Sequence, residues 1–464
     1  MQQYYLAIDI GASSGRHILG SVQDGKIVLE EIHRFPNGMS EKNGHRCWDA
    51  DKLFQEILTG MKKCKELGKI PVSVGIDTWA VDFVLLNEKD ERIGDAVGYR
   101  DSRTEGMDEE VYRIIPEEEL YGRTGIQKQI FNTIYQLMAV KKQNPEQLEQ
   151  AKTFLMIPDY FHFLLSGVKA VEYTNASTTQ LVSPDTFDWD KELMERLGYP
   201  TDIFPEIVKP GTVLGNLTEE IATQVGYSCK VVAPATHDTG SAVLAVPASD
   251  SDFLYISSGT WSLMGVERRS ADCSHESKVR NFTNEGGYER RFRYLKNIMG
   301  LWMIQSVKKE LNDQYSFAEL CDLAAKADFS SRVDVNDASF LAPENMIAAV
   351  QEMCRKTGQA VPETPGEIAS CIYQSLADSY RETVQEIEEM SGQTYSRIHI
   401  VGGGSNAVYL NELTAKATGK EVYAGPGEAT AIGNLAAQML QDGVYSSVEE
   451  VRTAIGVSFD MKKY

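Results

Sequence analysis

The stretch that decides the fold is YLAIDIGASSGRHILG, residues 5–20. An apolar run broken only by Asp9 passes into five small residues, Gly11 to Gly15, then Arg16, and then an alternating HILGSV. This pattern predicts a strand, a tight turn and a second strand. It is not a phosphate loop of the GxxxxGK[ST] kind. It is not a GxGxxG turn opening a helix either, because HILGSV alternates with period two. The turn can still serve a phosphate: Gly11 and Gly15 let the backbone approach a ligand, while Ser13, Ser14 and successive N–H groups offer donors. The plain alternative is a hairpin turn with no ligand. Asp9 does not fit that alternative, because a carboxylate in an apolar strand is costly unless it meets a cation. A magnesium ion held through water would satisfy it.

Working outward, KIVLEEI at 26–32 reads as a third strand and Asp51 to Leu67 as an amphipathic helix. PVSVGIDTWAVDFVLLNEKDER at 71–92 is a near-continuous strand broken at Asp77-Thr78-Trp79, and residues from about 104 to 170 read as largely helical. The second half repeats the layout. DFLYISSGTWSLMGVE at 252–267 is again strand, small polar turn and strand, and RIHIVGGGSNAVYLNELTAKATGKEV at 397–422 gives strand, three glycines, helix and strand. The expected fold class is therefore α/β, with two domains, 1–246 and 247–464, joined near AVPASDSD at 245–252. Two lobes with a cleft between them suit a ligand that must be enclosed.

Composition narrows the function. A chain of 464 residues exceeds one ordinary core. A net charge of −21 argues against nucleic acid and anionic membrane as partners, since both need a basic footprint. Anionic ligands must then be held by loop amides, helix N-termini or a metal ion. The chain opens with MQQYYLAIDI, which lacks a basic targeting region, and no apolar run approaches spanning length, so a cytoplasmic protein is expected. Seven scattered cysteines read as reduced thiols, with a Cys354–Cys371 bridge left open.

Three further motifs carry chemistry. THDTG at 236–240 follows an apolar strand; Asp238 or Thr239 can be a helix N-cap, or Asp238 can accept a proton from a substrate hydroxyl at a strand's carboxyl end. A carboxylate at a helix N-terminus is expected to stay ionised and to be a modest base. His237 beside it can bond a sugar hydroxyl or be structural. GIDTWAVDF offers Asp77, Trp79 and Asp82, and an indole with carboxylates suits a polyol, though an aromatic core residue with a capping Asp is the plainer reading. GGGSN at 402–406 permits close approach of a nucleotide, and NIMGLWMIQ at 297–305 carries Asn297 and Gln305 around a helix start.

Taken in order, these motifs resemble the FGGY family of carbohydrate kinases, built on the actin-like (ribonuclease H-like) fold. The resemblance covers nearly the whole chain. It includes DIGASSGR, YRDSRT at 99–104, IPDYFHFLLSG at 157–167, EYTNASTTQL at 172–181, HDTG, SSGTWSLMG, VGGGSNAVYLNELTAKATGKEV and GEATAIGNLAAQ at 427–438. It implies two actin-like domains, the first carrying the sugar site and the second the nucleotide side, and ATP and Mg2+ as cofactors. The implied reaction is transfer of the γ-phosphoryl group to O1 of L-rhamnulose. Another ketose or polyol, such as L-fuculose, xylulose or glycerol, stays open, as do a non-kinase actin-like ATPase and a catalytically dead sugar-binding relative. By the resemblance Asp238 is the general base and Asp9 holds magnesium through water. Ala12, Ser13, Ser14, Gly15 and Arg16 form the first phosphate loop, and Thr260, Gln305, Gly402 and Gly403 face the nucleotide. Trp79, Ala80, His237, Asp238, Thr239 and Asn297 face the sugar. Ala80 stands where the pattern has Gly, and Ser405-Asn406 where it has Cys and Gln, which puts those contacts in doubt. A monomer or small homo-oligomer is expected.

Overall fold

The structure is a computed structural model that describes residues 2–248, 250–341 and 343–464. The elements that place the site are, in chain order, β1 (Tyr4–Ile10), β2 (Ser14–Gln23), β3 (Lys26–Pro36), α1 (Ala50–Glu66), β4 (Pro71–Thr78), α2 (Thr133–Gln143), α3 (Ile157–Ser166), β5 (Thr212–Asn216), β6 (Lys230–Ala233) and α4 (Asp238–Leu244). They continue with β7 (Phe253–Ser258), β8 (Trp261–Arg268), β9 (Thr283–Gly286), β10 (Phe292–Met299), α5 (Trp302–Glu310), α6 (Pro365–Ser391), β11 (Arg397–Val401), α7 (Val408–Thr418), β12 (Glu421–Ala424), α8 (Ala429–Gln441), α9 (Val448–Ser458) and β13 (Lys462–Lys463).

The chain forms two compact units. The first comprises Met1–Ala245, Glu267–Tyr294 and Thr430–Ser458; the second comprises Val246–Val266, Leu295–Ala429 and Phe459–Tyr464.

The first unit is built on a six-stranded sheet in the order β5-β6-β4-β1-β2-β3. β1 pairs antiparallel with β2 and parallel with β4, and β4 pairs parallel with β6. β1 is central and buried from Tyr5 to Ile10, which explains its unbroken apolar run. β3 is the edge, and its KIVLEEIHRFP accordingly carries charge along its length. α1 starts where the Asp49 carboxylate accepts from the Lys52 N–H, and it buries Leu53, Ile57, Leu58 and Met61. A Cβ at Gly60 would lie 2.2 Å from the His17 ring, so the glycine lets α1 settle directly onto β2. α8 packs just as closely on α4: a Cβ at Gly433 would meet the Ser241 carbonyl oxygen at 1.8 Å.

The second sheet has seven strands, in the order β9-β10-β8-β7-β11-β12-β13. β7 and β8 form a hairpin through Gly259-Thr260, and β7, β11 and β12 are mutually parallel in that order. α6, the longest helix there, begins with a capping box between Thr364 and Glu367 and ends on Gly392 at φ 64°. Cys354 and Cys371 are both buried and unbridged, and the other five cysteines are free as well.

Candidate functional site

In the first unit the candidate residues collect at the carboxyl ends of parallel strands, where α/β sheets place ligands. The β1–β4 register sets Asp9 beside Asp77 and Ile10 beside Thr78. Thr78 in turn forms a parallel bridge to His237, its N–H donating to the Thr236 carbonyl at 2.9 Å. Asp9, Asp77 and Asp238 are thereby brought together from segments far apart in sequence.

Their environments differ. Asp9 is nearly buried and meets Arg16 directly across the hairpin; the guanidinium donates from Nε at 3.0 Å and from Nη2 at 2.7 Å, both to Oδ2. Asp77 is fully buried. Asn434 of α8 donates to its Oδ2 at 2.6 Å, while its Oδ1 has no hydrogen-bond partner. Burial first, and the Asp9 charge second, hold the Asp77 carboxyl well above the usual carboxylate range. Asp238 is the first residue of α4, and a third of its side chain reaches solvent. Crowding by protein and then the Asp9 charge push its pKa up to about 7, against hydrogen bonds from the Thr239 N–H at 2.6 Å and hydroxyl at 3.2 Å. The expectation of a modest base is thus corrected: desolvation and a neighbouring carboxylate outweigh the helix terminus. The cap position itself falls to His237.

The first loop is a tight hairpin turn. The Gly11 N–H donates to the Ser14 carbonyl, Asn37 closes the turn by donating from Nδ2 to the Gly11 carbonyl at 2.8 Å, and Ala12 and Ser13 are exposed. Gly15 is a packing glycine: a Cβ there would lie 2.1 Å from the Phe35 ring, its cross-strand partner. Packing against Phe35 is thus one reason for glycine at this position.

Trp79 is buried with its ring centroid 3.9 Å from that of Trp48 and the planes tilted by 32°, and the two indole N–H groups donate to one oxygen, Oδ2 of Asp82, at 2.9 and 2.6 Å. Gln136 donates to Oδ1 of Asp82 at 3.0 Å and the Tyr99 N–H to Oδ2 at 3.1 Å. Burial nevertheless pushes the Asp82 pKa up to about 6. Asp82 is therefore a hub that locks the Trp79 loop. Between them Val81 takes φ 66°, rare for a β-branched residue, in a three-residue turn closed by the Asp82 N–H on the Ala80 carbonyl. Thr133 and Gln136 of α2 hold the strained peptide by donating to the Val81 carbonyl.

His237 is almost fully buried and neutral, because burial and the Arg293 charge hold its pKa well below the usual imidazole range. Its Nδ1 lies 3.0 Å from Arg293 Nη2 and its Nε2 lies 3.4 Å from Asp238 Oδ1. Glu172 anchors the loop from behind: its carboxylate accepts from the N–H and hydroxyl of both Thr174 and Thr236, and the Thr174 hydroxyl accepts from the His237 N–H. Asn434, Val81, Glu172 and Arg293 are not among the site residues the sequence points to, and Asp77 enters there only as a neighbour of Trp79. Asp77 and Glu172 carry the same signal as Asp9, a carboxylate in an apolar strand; Val81 carries none.

The second unit holds Thr260, Asn297, Gln305, Gly402 and Gly403. Here the arrangement is made of backbone. Gly300 packs against the β7–β8 turn, where a Cβ would lie 2.5 Å from the Trp261 carbonyl carbon, and the Leu301 and Trp302 N–H groups donate to Gly259 and Thr260. Gly402 takes φ 84° with its missing Cβ 2.9 Å from the Ser258 carbonyl oxygen, so the glycine turn after β11 lies against the end of β7. Gly403 is exposed beside it, and Gln305 is half-buried in the first turns of α5. Asn297, expected on the sugar side, lies in this unit on β10.

Comparison with known proteins agrees with this architecture. The profile described as "FGGY family of carbohydrate kinases, N-terminal domain" matches residues 4–245, and the one for the C-terminal domain matches 254–441. A protein named rhamnulokinase from Halalkalibacterium halodurans is 56% identical over 99% of this chain and 98% of its own. Another of that name from Bacillus subtilis is 44% identical over 99% and 94%. Among solved structures, a ligand-bound xylulose kinase from Lactobacillus acidophilus superimposes with a TM-score of 0.81 at 16% identity, covering 100% of this chain and 93% of the other. Plasmodium falciparum glycerol kinase with ADP gives 0.80 at 15%, covering 99% and 94%. Strand order, glycine turns and sequence relatives agree: the chain belongs to the FGGY family of carbohydrate kinases.

Proposed function

We propose that this kinase transfers the γ-phosphoryl group of ATP to the O1 hydroxyl of L-rhamnulose, giving L-rhamnulose 1-phosphate, in the cytoplasm as a step of L-rhamnose breakdown. The observation that carries the reading is the convergence of Asp9, Asp77, His237 and Asp238 at adjacent strand ends, in a chain so close to relatives named for that activity.

Asp238 accepts the proton of the attacking hydroxyl. A pKa near 7 keeps a usable fraction ionised while leaving the carboxylate basic enough to draw the proton as the bond to phosphorus forms. Phosphoryl transfer passes through a loose transition state, so most of the acceleration comes from orientation and charge neutralisation. Trp79, fixed by Asp82, offers an apolar face to the sugar, with the Ala80 methyl group at its rim and Thr239 beside the base. Ala12 to Arg16 cradle phosphate oxygens through the exposed turn, and Thr260, Gln305, Gly402 and Gly403 receive the nucleotide, where close backbone packing leaves amides to face it.

The donor set suits magnesium. Asp9 supplies a hard carboxylate, and the upward shift of its neighbour Asp77 lessens the competing negative charge beside it. Among the described residues no three His, Cys, Asp or Glu side chains form a metal cage, and Mg2+ ordinarily keeps waters and phosphate oxygens as ligands. Asp9 would hold such an ion through water, and when bound the ion neutralises phosphate charge. Among the described residues no helix is long and apolar enough to cross a membrane.

A coupled ADP-release assay over L-rhamnulose, L-fuculose, D-xylulose and glycerol tests the reading. L-Rhamnulose is expected to give the highest kcat/KM. A higher value for any other member overturns the substrate, and sugar-independent ATP hydrolysis at the same rate overturns the sugar kinase reading.

A further inference from the structure

We infer that Arg293, backed by Glu285, is a positioning residue that fixes His237 as the Nε2–H tautomer and so presents an N–H donor toward Asp238 and the attacking hydroxyl. Arg293 is fully buried. Its Nε donates to the Gly286 carbonyl at 2.8 Å, which pins the guanidinium plane on β9, and its Nη2 lies 3.0 Å from His237 Nδ1. An arginine only donates, so that contact is attractive only when Nδ1 carries a lone pair. The ring proton then sits on Nε2, the nitrogen 3.4 Å from Asp238 Oδ1.

Glu285 offers a competing partner for a proton on Nδ1, but at the longer distance of 3.4 Å. Its Oε2 lies 3.1 Å from Nη2 without an aligned hydrogen bond, so it balances the arginine's charge while the guanidinium N–H is aimed at the imidazole. Burying an arginine and a glutamate without a role is expensive, and a well-packed apolar pair would serve stability as well. What the pair supplies is direction. With Nε2–H fixed, His237 can only donate on the side facing Asp238, where a sugar oxygen can accept from it.

This inference rests on the reading of Asp238 as the base, and its test has a readout independent of activity. In full-length protein labelled with 15N-histidine, the ring signals of His237 are assigned by their loss in His237→Gln. Wild-type His237 is expected to show an unprotonated Nδ1 and a protonated Nε2, and a protonated Nδ1 overturns the proposal with no variant of Arg293 needed. In Arg293→Met the single tautomer is expected to give way to a mixture, with kcat/KM for L-rhamnulose falling roughly a hundredfold, KM for ATP within about twofold, and Arg293→Lys recovering about tenfold. In a His237→Gln background Arg293→Met is expected to cost under about threefold more. Full additivity there, with the wild-type tautomer preserved in Arg293→Met, assigns the pair a purely structural role and overturns the proposal. Should wild type phosphorylate no ketose, the proposed function fails while the tautomer measurement still decides this one.

Discussion

Arg16 and Asp9 sit directly opposite each other across the β1–β2 pair, and the guanidinium places two hydrogen bonds on one carboxylate oxygen, Oδ2. The other oxygen lies outside that contact. Arg16 therefore orients Asp9 as well as compensating its charge. Arg16→Met is expected to lower kcat by about ten- to a hundredfold and to raise the Mg2+ concentration for half-maximal rate, with circular dichroism unchanged. An Mg2+ titration at saturating ATP and sugar checks this; an unchanged midpoint leaves Arg16 without that role.

Asp77 gives a stability signature. Its folded-state pKa is raised above its unfolded value, so its contribution to stability is fully present below the unfolded pKa near 3.8 and is lost progressively as pH rises toward the folded value. Asp77→Asn removes the titrating group. Denaturant unfolding at pH 4 and pH 6 is expected to show the wild type losing more stability over that interval than the variant does. Equal losses contradict the raised pKa.

Trp79 depends on Asp82 for its orientation, and Asp82 depends on two indoles. Trp79→Phe keeps an aromatic face but deletes one N–H donor to a buried carboxylate, a cost of about 1–3 kcal/mol. Unfolding measurements are expected to show that loss, and KM for sugar is expected to rise severalfold with KM for ATP unchanged.

Gly15→Ala separates packing from ligand approach in the first loop. Because the new methyl group meets the Phe35 ring, a loss of about 1–3 kcal/mol is expected, and Gly15→Ala with Phe35→Leu is expected to recover much of it. Recovery of stability without recovery of ATP binding would show that the glycine also serves the nucleotide.

The sequence made some of this architecture legible and left other parts hidden for physical reasons. The strand-turn-strand of residues 5–20 was readable because an apolar run, small turn residues and an alternating run each have one structural meaning, and Asp9 stood out against them. Asp238 and His237 were readable from HDTG after a short apolar strand. Asn434 was not, because its partner Asp77 lies 357 positions earlier and only the tertiary fold brings α8 beneath β4. Arg293 was hidden in the same way: an arginine in RRFRYLK reads as an exposed charge until β9 and the His237 loop close over it. The strained turn at Val81 had no signature, since valine there reads as more strand. The basicity of Asp238 is hidden because the helix terminus is local and visible, whereas burial, its largest cause, and the charge of Asp9 arise only in the folded chain.

In the proposed reaction Asp238 is the base for phosphoryl transfer to the ketose. The most direct measurement is kcat/KM for L-rhamnulose against pH, at saturating MgATP, for wild type and Asp238→Asn. The wild-type rate is expected to fall tenfold per pH unit below a midpoint near 7, and the variant to be slower by about a hundred- to ten-thousandfold with that limb abolished. A variant that keeps more than a tenth of wild-type activity, or the same acidic limb, would contradict it.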